Sequence, residues 1–178
     1  MLRIFTGISI PQEIKKALHE MQGGIENARW TDINDYHLTL SFIGEVHEDQ
    51  AELIDEALTE IKFPAFELCL NGMSCFTRGE HATFLWAGLE HSAELHDLQQ
   101  KINSSLERCH IEFEKHKYTP HITLAKLKGP SEEQTAGFIA EHNLFKSAPF
   151  KVENFILYQS HQAKHNHFYS EKVLYPLL

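Results

Sequence analysis

Cysteine is scarce in this chain, and what there is does not pair. Cys69, Cys75 and Cys109 are odd in number and form no Cys-x-x-Cys pair, which excludes a disulfide framework or a zinc knuckle as the basis of the fold. Cys69, within Phe66-Glu67-Leu68-Cys69-Leu70, reads as a buried strand thiol. No apolar run approaches the length that spans a membrane. Met1–Pro11 has neither the apolar length nor the small-residue cleavage site of a secretory leader, so the expectation is a cytoplasmic protein without a membrane partner. Basic residues are outnumbered, with 16 Lys and Arg against 25 Asp and Glu and a formal net charge of −9. That balance argues against strong non-specific attachment to nucleic-acid backbones but leaves local binding of a small anion open. Carboxylate pairs suited to metal-bound phosphate chemistry are missing, and no Gly-, Pro- or Ser-rich linker divides the chain. At 178 residues the chain can bury a full core.

Histidine, by contrast, is abundant, with 13 residues, and a short pattern that contains it occurs twice. His37-Leu38-Thr39-Leu40 and His121-Ile122-Thr123-Leu124 both alternate polar and apolar, and the alternation runs on through Ser41-Phe42 and Ala125-Lys126-Leu127. This is the period of a half-buried strand. Leu38, Leu40 and Phe42 then enter a core while His37, Thr39 and Ser41 share the open face; Ile122 and Leu124 are buried and His121 and Thr123 open. Residues two apart on a strand are about 6.6 Å apart, so each His and its Thr can reach one small ligand.

The surrounding elements repeat as well. Residues 2–10 read as a strand, followed by a helix over 12–27 with Pro11 at its first turn and Gly23-Gly24 fraying its end. Trp30, Asp32, Asn34 and Asp35 lie in a loop before the first histidine strand. A helix covers 48–62, Pro64 stops it, and 66–73 form a strand. In the second half a strand over 82–89, a helix over 92–109 and a helix over 131–142 take the same places around the second histidine strand. The turn Gly129-Pro130-Ser131 opens that last helix with Ser131 as its cap, and 150–160 and 167–178 read as closing strands. Strand–helix–strand–helix–strand used twice predicts an α+β fold: one two-lobed domain over 1–178, duplicated about a pseudo-twofold axis. Its repeat units cover about 1–75 and 82–160, with closing strands to 178. Mainly antiparallel sheets line a central cleft and the helices lie outside.

Two imidazoles and two hydroxyls facing one cleft suit displacement at phosphorus. One His can take a proton from the attacking oxygen while the other gives one to the leaving oxygen, since imidazole titrates near neutrality. Thr hydroxyls can donate to the non-bridging oxygens. This scheme requires neither metal nor cofactor.

The paired His-x-Thr-x motifs resemble the signature of the two-histidine (2H) phosphoesterases. Arg3-Ile4-Phe5, Arg29-Trp30, Phe42-Ile43-Gly44-Glu45-Val46, Thr119-Pro120-His121-Ile122-Thr123-Leu124-Ala125 and Phe155-Ile156-Leu157-Tyr158-Gln159-Ser160 resemble one branch, the RNA 2′,3′-cyclic phosphodiesterases, also called 2′-5′ RNA ligases. The resemblance implies hydrolysis of RNA or nucleotide 2′,3′-cyclic phosphate ends to 2′-phosphomonoesters, with reversible 2′-5′ ligation in some members. Carried over by motif, His37 is the proton donor and His121 the proton acceptor, and Thr39 and Thr123 bind the phosphate. Ser41, Lys126 and Tyr158 are candidate substrate contacts. The family usually has Arg where Lys126 stands, and lysine keeps the charge but loses the bidentate fork; it usually has Phe where Tyr118 stands. Few basic residues surround the closing strands, which favours a mononucleotide or a short RNA end, bound by a monomer.

Two further signals point less far. His161, His165 and His167 suggest a metal cluster at first sight, but the polar run around Asn166 reads as an exposed hairpin loop and not as a helix that would align them. Trp30, Phe42, Tyr158 and Tyr169 are aromatic candidates for stacking on a base, with Phe42 assigned to the core by alternation and core packing the expected role of Tyr158. A non-catalytic RNA or nucleotide binder that keeps the cleft is the alternative to the enzyme.

Overall fold

The computed structural model describes residues 1–129, 131–165 and 167–178. Among these residues, ten strands and four α-helices follow one another as β1 (Leu2–Ser9), α1 (Gln12–Glu20), β2 (Arg29–Trp30), β3 (His37–Val46), α2 (Glu48–Thr59), β4 (Phe66–Leu68) and β5 (Leu70–Arg78). The second half continues with β6 (His81–Leu89), α3 (Ala93–Arg108), β7 (Ile122–Lys126), α4 (Glu132–His142), β8 (Phe150–Val152), β9 (Asn154–Gln162) and β10 (His167–Pro176). A single 3₁₀ turn, Ile33–Asp35, precedes β3. Among the described residues no helix is long and apolar enough to cross a membrane.

Two four-stranded sheets carry the architecture, in the orders β10-β9-β1-β3 and β2-β7-β6-β5, and β4 pairs with β8 in a small third sheet. Every pairing is antiparallel, and the class is α+β. The sheets do not follow the sequence repeat. β5, from the first repeat unit, lies beside β6 of the second, while β9, from the second unit, lies beside β1 of the first. Each sheet thus borrows a strand across the pseudo-twofold axis. The β4–β8 pair ties the same two excursions together at Phe66–Val152 and Leu68–Phe150.

One core runs through both halves. It joins Ile4, Ile8, Leu38 and Leu40 to Leu85, Ile122, Leu124 and Phe155, and the helices cover it with Leu18, Ile54, Leu58, Leu98 and Ile102. Leu95, Leu98, Ile102 and Leu106 bury one face of α3, as their spacing predicts, and the Ser92 hydroxyl caps it by accepting from Leu95 N at 3.1 Å. α1 is shorter than its periodicity suggests. It stops at Glu20 because Gly23 and Gly24 adopt φ of +130° and +77°, conformations that end a helix and suit glycine. Ile25 still reaches the core, from the loop beyond. Ser131 stands at the N-cap of α4 but its hydroxyl makes no cap bond; the turn residue Pro130 lies outside the described residues.

The strict alternation expected of the histidine strands is interrupted at matching places. Thr6 pairs with Ser41 and Gly7 with Thr39, leaving Leu40 as an extra residue; Leu85 pairs with Ala125 and Trp86 with Thr123, leaving Leu124 extra. A β-bulge lets two successive residues face the same side. Leu40 and Ser41 are both buried, and so are Leu124 and Ala125. A second bulge in β3, at Ile43 between the pairs Phe5–Phe42 and Ile4–Gly44, sends Ile43 into the core. Phe42, expected in that core, instead joins a small separate cluster with Phe5, Ile156, Tyr158 and Tyr169.

Phe155 is fully buried and stacks on Tyr175 with ring centroids 4.8 Å apart, at the base of the borrowed strand β9. Phe155→Ala should cost about 3–5 kcal/mol, read as a fall in the urea midpoint at unchanged slope. A cost below about 1 kcal/mol would show that β9 does not anchor the first sheet.

Candidate active site

Both histidines stand where a strand begins, each oriented by a backbone carbonyl two residues upstream. His37 Nδ1 lies 2.8 Å from Asp35 O, and His121 Nδ1 lies 2.7 Å from Thr119 O. A carbonyl can only accept, so in both rings Nδ1 carries the hydrogen and Nε2 offers its lone pair. At His37, Nε2 is 3.0 Å from Thr39 Oγ1, and the hydroxyl donates to it. Pro120 holds Thr119 extended, which delivers the carbonyl to His121. At the first site the 3₁₀ turn over Ile33–Asp35, closed by Asn34 N donating to Asp32 Oδ1 at 2.9 Å, does the same work.

Aromatic rings wall both imidazoles. His37 sits against Phe5 (4.9 Å), Tyr158 (5.7 Å) and Tyr169 (4.9 Å). His121 sits against Phe76 (4.8 Å) and Trp86 (5.7 Å). Gly7, directly across from Thr39, keeps this floor open: a Cβ there would stand 2.9 Å from Leu38 O and 3.2 Å from the Tyr158 ring.

The two motifs are joined directly. Tyr118, three residues before His121, donates its hydroxyl to Thr39 O at 2.9 Å, and Glu114 N donates to Phe42 O at 3.0 Å. The segment leading to the second histidine therefore runs along the edge of β3. Tyr118, through its hydroxyl, supplies one of these links. On the other side Thr31 binds β7 twice, N to Leu124 O at 2.8 Å and Oγ1 to Thr123 O at 3.0 Å.

A cavity of about 920 Å³ is lined by Thr123 and Lys126 of the second motif strand together with Arg29, Trp30, Asp32, Asp35, Phe168 and Tyr169, whereas His37, Thr39 and His121 do not line it. Thr123 and Lys126 thus face it as alternation past the bulge requires. Ser41 does not. The Leu40 bulge turns it to the core side, where its hydroxyl donates to Asn103 Oδ1 of α3, so it shares no face with His37 and Thr39. Tyr158 is also off the cavity, 6% exposed and stacked on Phe5 at 5.1 Å, and supports His37 from below. The aromatics that do line the cavity are Trp30, Phe84, Phe168 and Tyr169. Phe84 and Phe168 escape sequence reading because each looks like an ordinary alternating strand residue; only the bulge in β7 and the edge position of β10 reveal them. Trp30 and Arg29 form a two-residue strand on β7, too short to show any periodicity. The expected hairpin loop lies between β9 and β10, with residues 163–165 outside both strands and His161 and His167 inside them. His161 lies in β9, its Nε2 2.6 Å from Ser170 Oγ and its ring stacked on Phe168 at 4.8 Å. Asn166, placed in that loop, lies outside the described residues.

Burial among aromatic rings disfavours the charged imidazole. It lowers His37 from 6.5 to about 4, against a raising influence from the Asp35 carbonyl and with a further lowering from His121 and Lys15. His121 is lowered by burial as well, with Thr119 O opposing and His116 adding. Asp35 is raised, mainly by burial. Both histidines are therefore neutral at pH 7 in the free protein. The electrostatic influence of His121 on His37 reflects their common cleft.

Two partly buried imidazoles, each with Nδ1 held by a carbonyl and each followed two residues on by a threonine, stand in corresponding places at the starts of β3 and β7. The family model of the 2′-5′ RNA ligase superfamily matches residues 11–164, and the chain belongs to that superfamily. It is 31% identical over 134 residues to an RNA 2′,3′-cyclic phosphodiesterase of Thermotoga maritima, covering 71% of each chain. It is 25% identical to another of that name from Archaeoglobus fulgidus, covering 89% of this chain and 91% of that one. In fold it is similar to the apo structure of Escherichia coli LigT (TM-score 0.80, 22% identity, 99% of this chain and 97% of that one). It is similar too to a protein of Thermus thermophilus, TT0787 (TM-score 0.82, 20% identity, 98% and 97%).

The lowered His37 has a consequence for stability. Between pH 6.5 and about 4 the unfolded chain binds a proton that folded His37 refuses, so this contribution is complete above pH 6.5 and is lost as pH falls towards 4. The stability difference between wild type and His37→Asn should shrink by on the order of 3 kcal/mol between pH 7 and pH 4, read by urea denaturation at each pH. Parallel pH profiles for the two proteins would contradict the burial of this imidazole.

Proposed function

We propose that the protein is an RNA 2′,3′-cyclic phosphodiesterase, which opens the cyclic phosphate at an RNA or nucleotide end to a 2′-phosphomonoester through the two histidines. The observation that carries this reading is the matched pair of imidazoles, each with Nδ1 tied to a carbonyl and Nε2 left to exchange a proton. The names of the relatives from Thermotoga maritima and Archaeoglobus fulgidus support the substrate class, and Escherichia coli LigT has been crystallised with 3′-AMP.

In this scheme the cyclic phosphate lies between the histidines. Thr39 and Thr123 donate to its non-bridging oxygens, which requires the Thr39 hydroxyl to leave His37 Nε2 for the substrate. One imidazole takes a proton from water as it attacks phosphorus, and the other protonates the 3′ oxygen as its bond to phosphorus breaks. By motif the donor is His37 and the acceptor His121. Because burial leaves His37 neutral in the free protein, its proton must arrive with the substrate, whose negative charge favours imidazolium beside it. Reverse ligation would run the same steps backwards. The protein acts as a cytoplasmic monomer, since the single chain supplies both histidines, and its repeat units form one domain, since each sheet takes a strand from the other unit.

Incubated with a 2′,3′-cyclic nucleotide, wild type should give the 2′-phosphate, and His37→Ala and His121→Ala should each fall by about 10²–10⁴-fold. A substrate with a leaving group too acidic to need protonation should restore His37→Ala far more than His121→Ala. A 3′-phosphate product would reverse which oxygen leaves, and rescue of His121→Ala instead would exchange the acid and base roles. Undiminished turnover in either variant, or none in wild type, would overturn the catalytic reading.

A further inference from the structure

The carbonyl oxygens of Thr39 and Thr123 occupy matching places, each one residue before the extra leucine of its strand. β3 ends its sheet, and among the described residues β2 pairs only with Ala125 and Lys126 of β7. The outer edges of both strands are therefore open to other elements at the two threonines. Each carbonyl receives a side-chain hydroxyl, and each hydroxyl comes from the segment that leads to the other histidine. Tyr118, three residues before His121, donates to Thr39 O at 2.9 Å, and Thr31, six residues before His37, donates to Thr123 O at 3.0 Å.

Both donors are themselves held. The Tyr118 ring packs on the core and lies edge-on to His96 at 5.5 Å, contacts that a phenylalanine would keep. Burial pushes the Tyr118 phenol up from its ordinary value, so it remains a neutral donor at working pH. Behind Thr31 stands Gln22, whose Nε2 donates to Thr31 O at 2.8 Å and to the Tyr36 hydroxyl at 2.7 Å. Tyr36 is 1% exposed and is the residue before His37. Thr123 is thus linked through Thr31 and Gln22 to the backbone at His37, as Thr39 is linked through Tyr118 to the backbone leading to His121.

Resting on the reading of the site as a cyclic phosphodiesterase, we propose that Thr31 and Tyr118 are positioning residues, a reciprocal pair of hydroxyl clamps that fixes each histidine against the threonine of the opposite motif. Neither hydroxyl has a hydrogen left for phosphate, since its single O–H goes to a carbonyl. Displacement at phosphorus needs acid, base and phosphate donors at hydrogen-bond distance together, and a misplacement near 1 Å costs about 10²-fold. Loss of a clamp therefore slows the bound complex, lowering kcat and leaving KM near its wild-type value.

The test measures kcat and KM on a 2′,3′-cyclic nucleotide for wild type, Tyr118→Phe, Thr31→Val, Thr31→Ser and Thr59→Val, each shown by its urea midpoint to be folded under the assay conditions. Thr59→Val is the comparison for a lost hydroxyl–carbonyl bond away from the motifs, since Thr59 donates to Asp55 O of α2 at 2.8 Å. Tyr118→Phe and Thr31→Val should each lower kcat about tenfold, with KM within about twofold of wild type. Thr31→Ser, which keeps the donor, and Thr59→Val should both stay within about twofold of wild type in kcat and KM. Unchanged kcat in Tyr118→Phe or Thr31→Val, a loss carried by KM, or Thr31→Ser as slow as Thr31→Val would overturn the clamp while leaving the phosphodiesterase reading intact. No turnover by wild type would overturn that reading itself.

Discussion

The extra leucine in each histidine strand governs the site. Leu40 has no partner on β1 and Leu124 none on β6, and both are almost fully buried, at 2% and 1% exposure. Sinking two consecutive side chains into the core switches the face taken by the residues that follow, in β3 as far as the second bulge at Ile43. Up to the bulge, His37 and Thr39 or Ile122 and Thr123 keep the expected alternation; past it, Phe42 and Lys126 come to the cleft face and Ser41 and Ala125 leave it. The same device at pseudo-twofold positions makes the two halves of the site alike in backbone and different in chemistry. One carries an aromatic floor beneath His37 and the other a cation beyond Thr123.

The exchanged strands make this arrangement rigid. With β9 beside β1 and β5 beside β6, neither half can move as a unit without unpairing a strand of the other. The Tyr118–Thr39 and Thr31–Thr123 bonds then tie the two His-x-Thr segments themselves. Proton transfer needs reacting atoms held at hydrogen-bond distance on both sides of one phosphorus, and a site split between two loosely joined lobes would not hold them. Partial burial of the imidazoles among aromatic rings follows from the same packing, and it lowers both below their ordinary value.

Much of this is legible in the chain. The matching order of strands and helices gives the α+β class, and the duplicated His-x-Thr-Leu pattern points to two histidines and two threonines, because alternation and helical spacing are local signals. The exchange of β5 and β9 is not legible, since strand pairing across a pseudo-twofold axis is a tertiary choice that leaves the sequence of each unit unchanged. The faces of Ser41 and Phe42 differ from the alternation for another reason: a bulge shifts the period by one residue without altering composition. Tyr158 lies near His37 but packs beneath it instead of lining the cavity, a role taken by Tyr169 and Phe168 from the last strand.

The pH dependence of kcat/KM on a cyclic nucleotide tests most directly the claim that two buried imidazoles share the proton traffic. That ratio reports the free protein, in which His37 is lowered to about 4 and His121 also lies below its ordinary 6.5. The account predicts a bell with its maximum on the acid side of pH 6.5, and loss of one limb in the residual activity of each single histidine variant. A profile centred above pH 7, or one that keeps both limbs when either histidine is replaced, would contradict it.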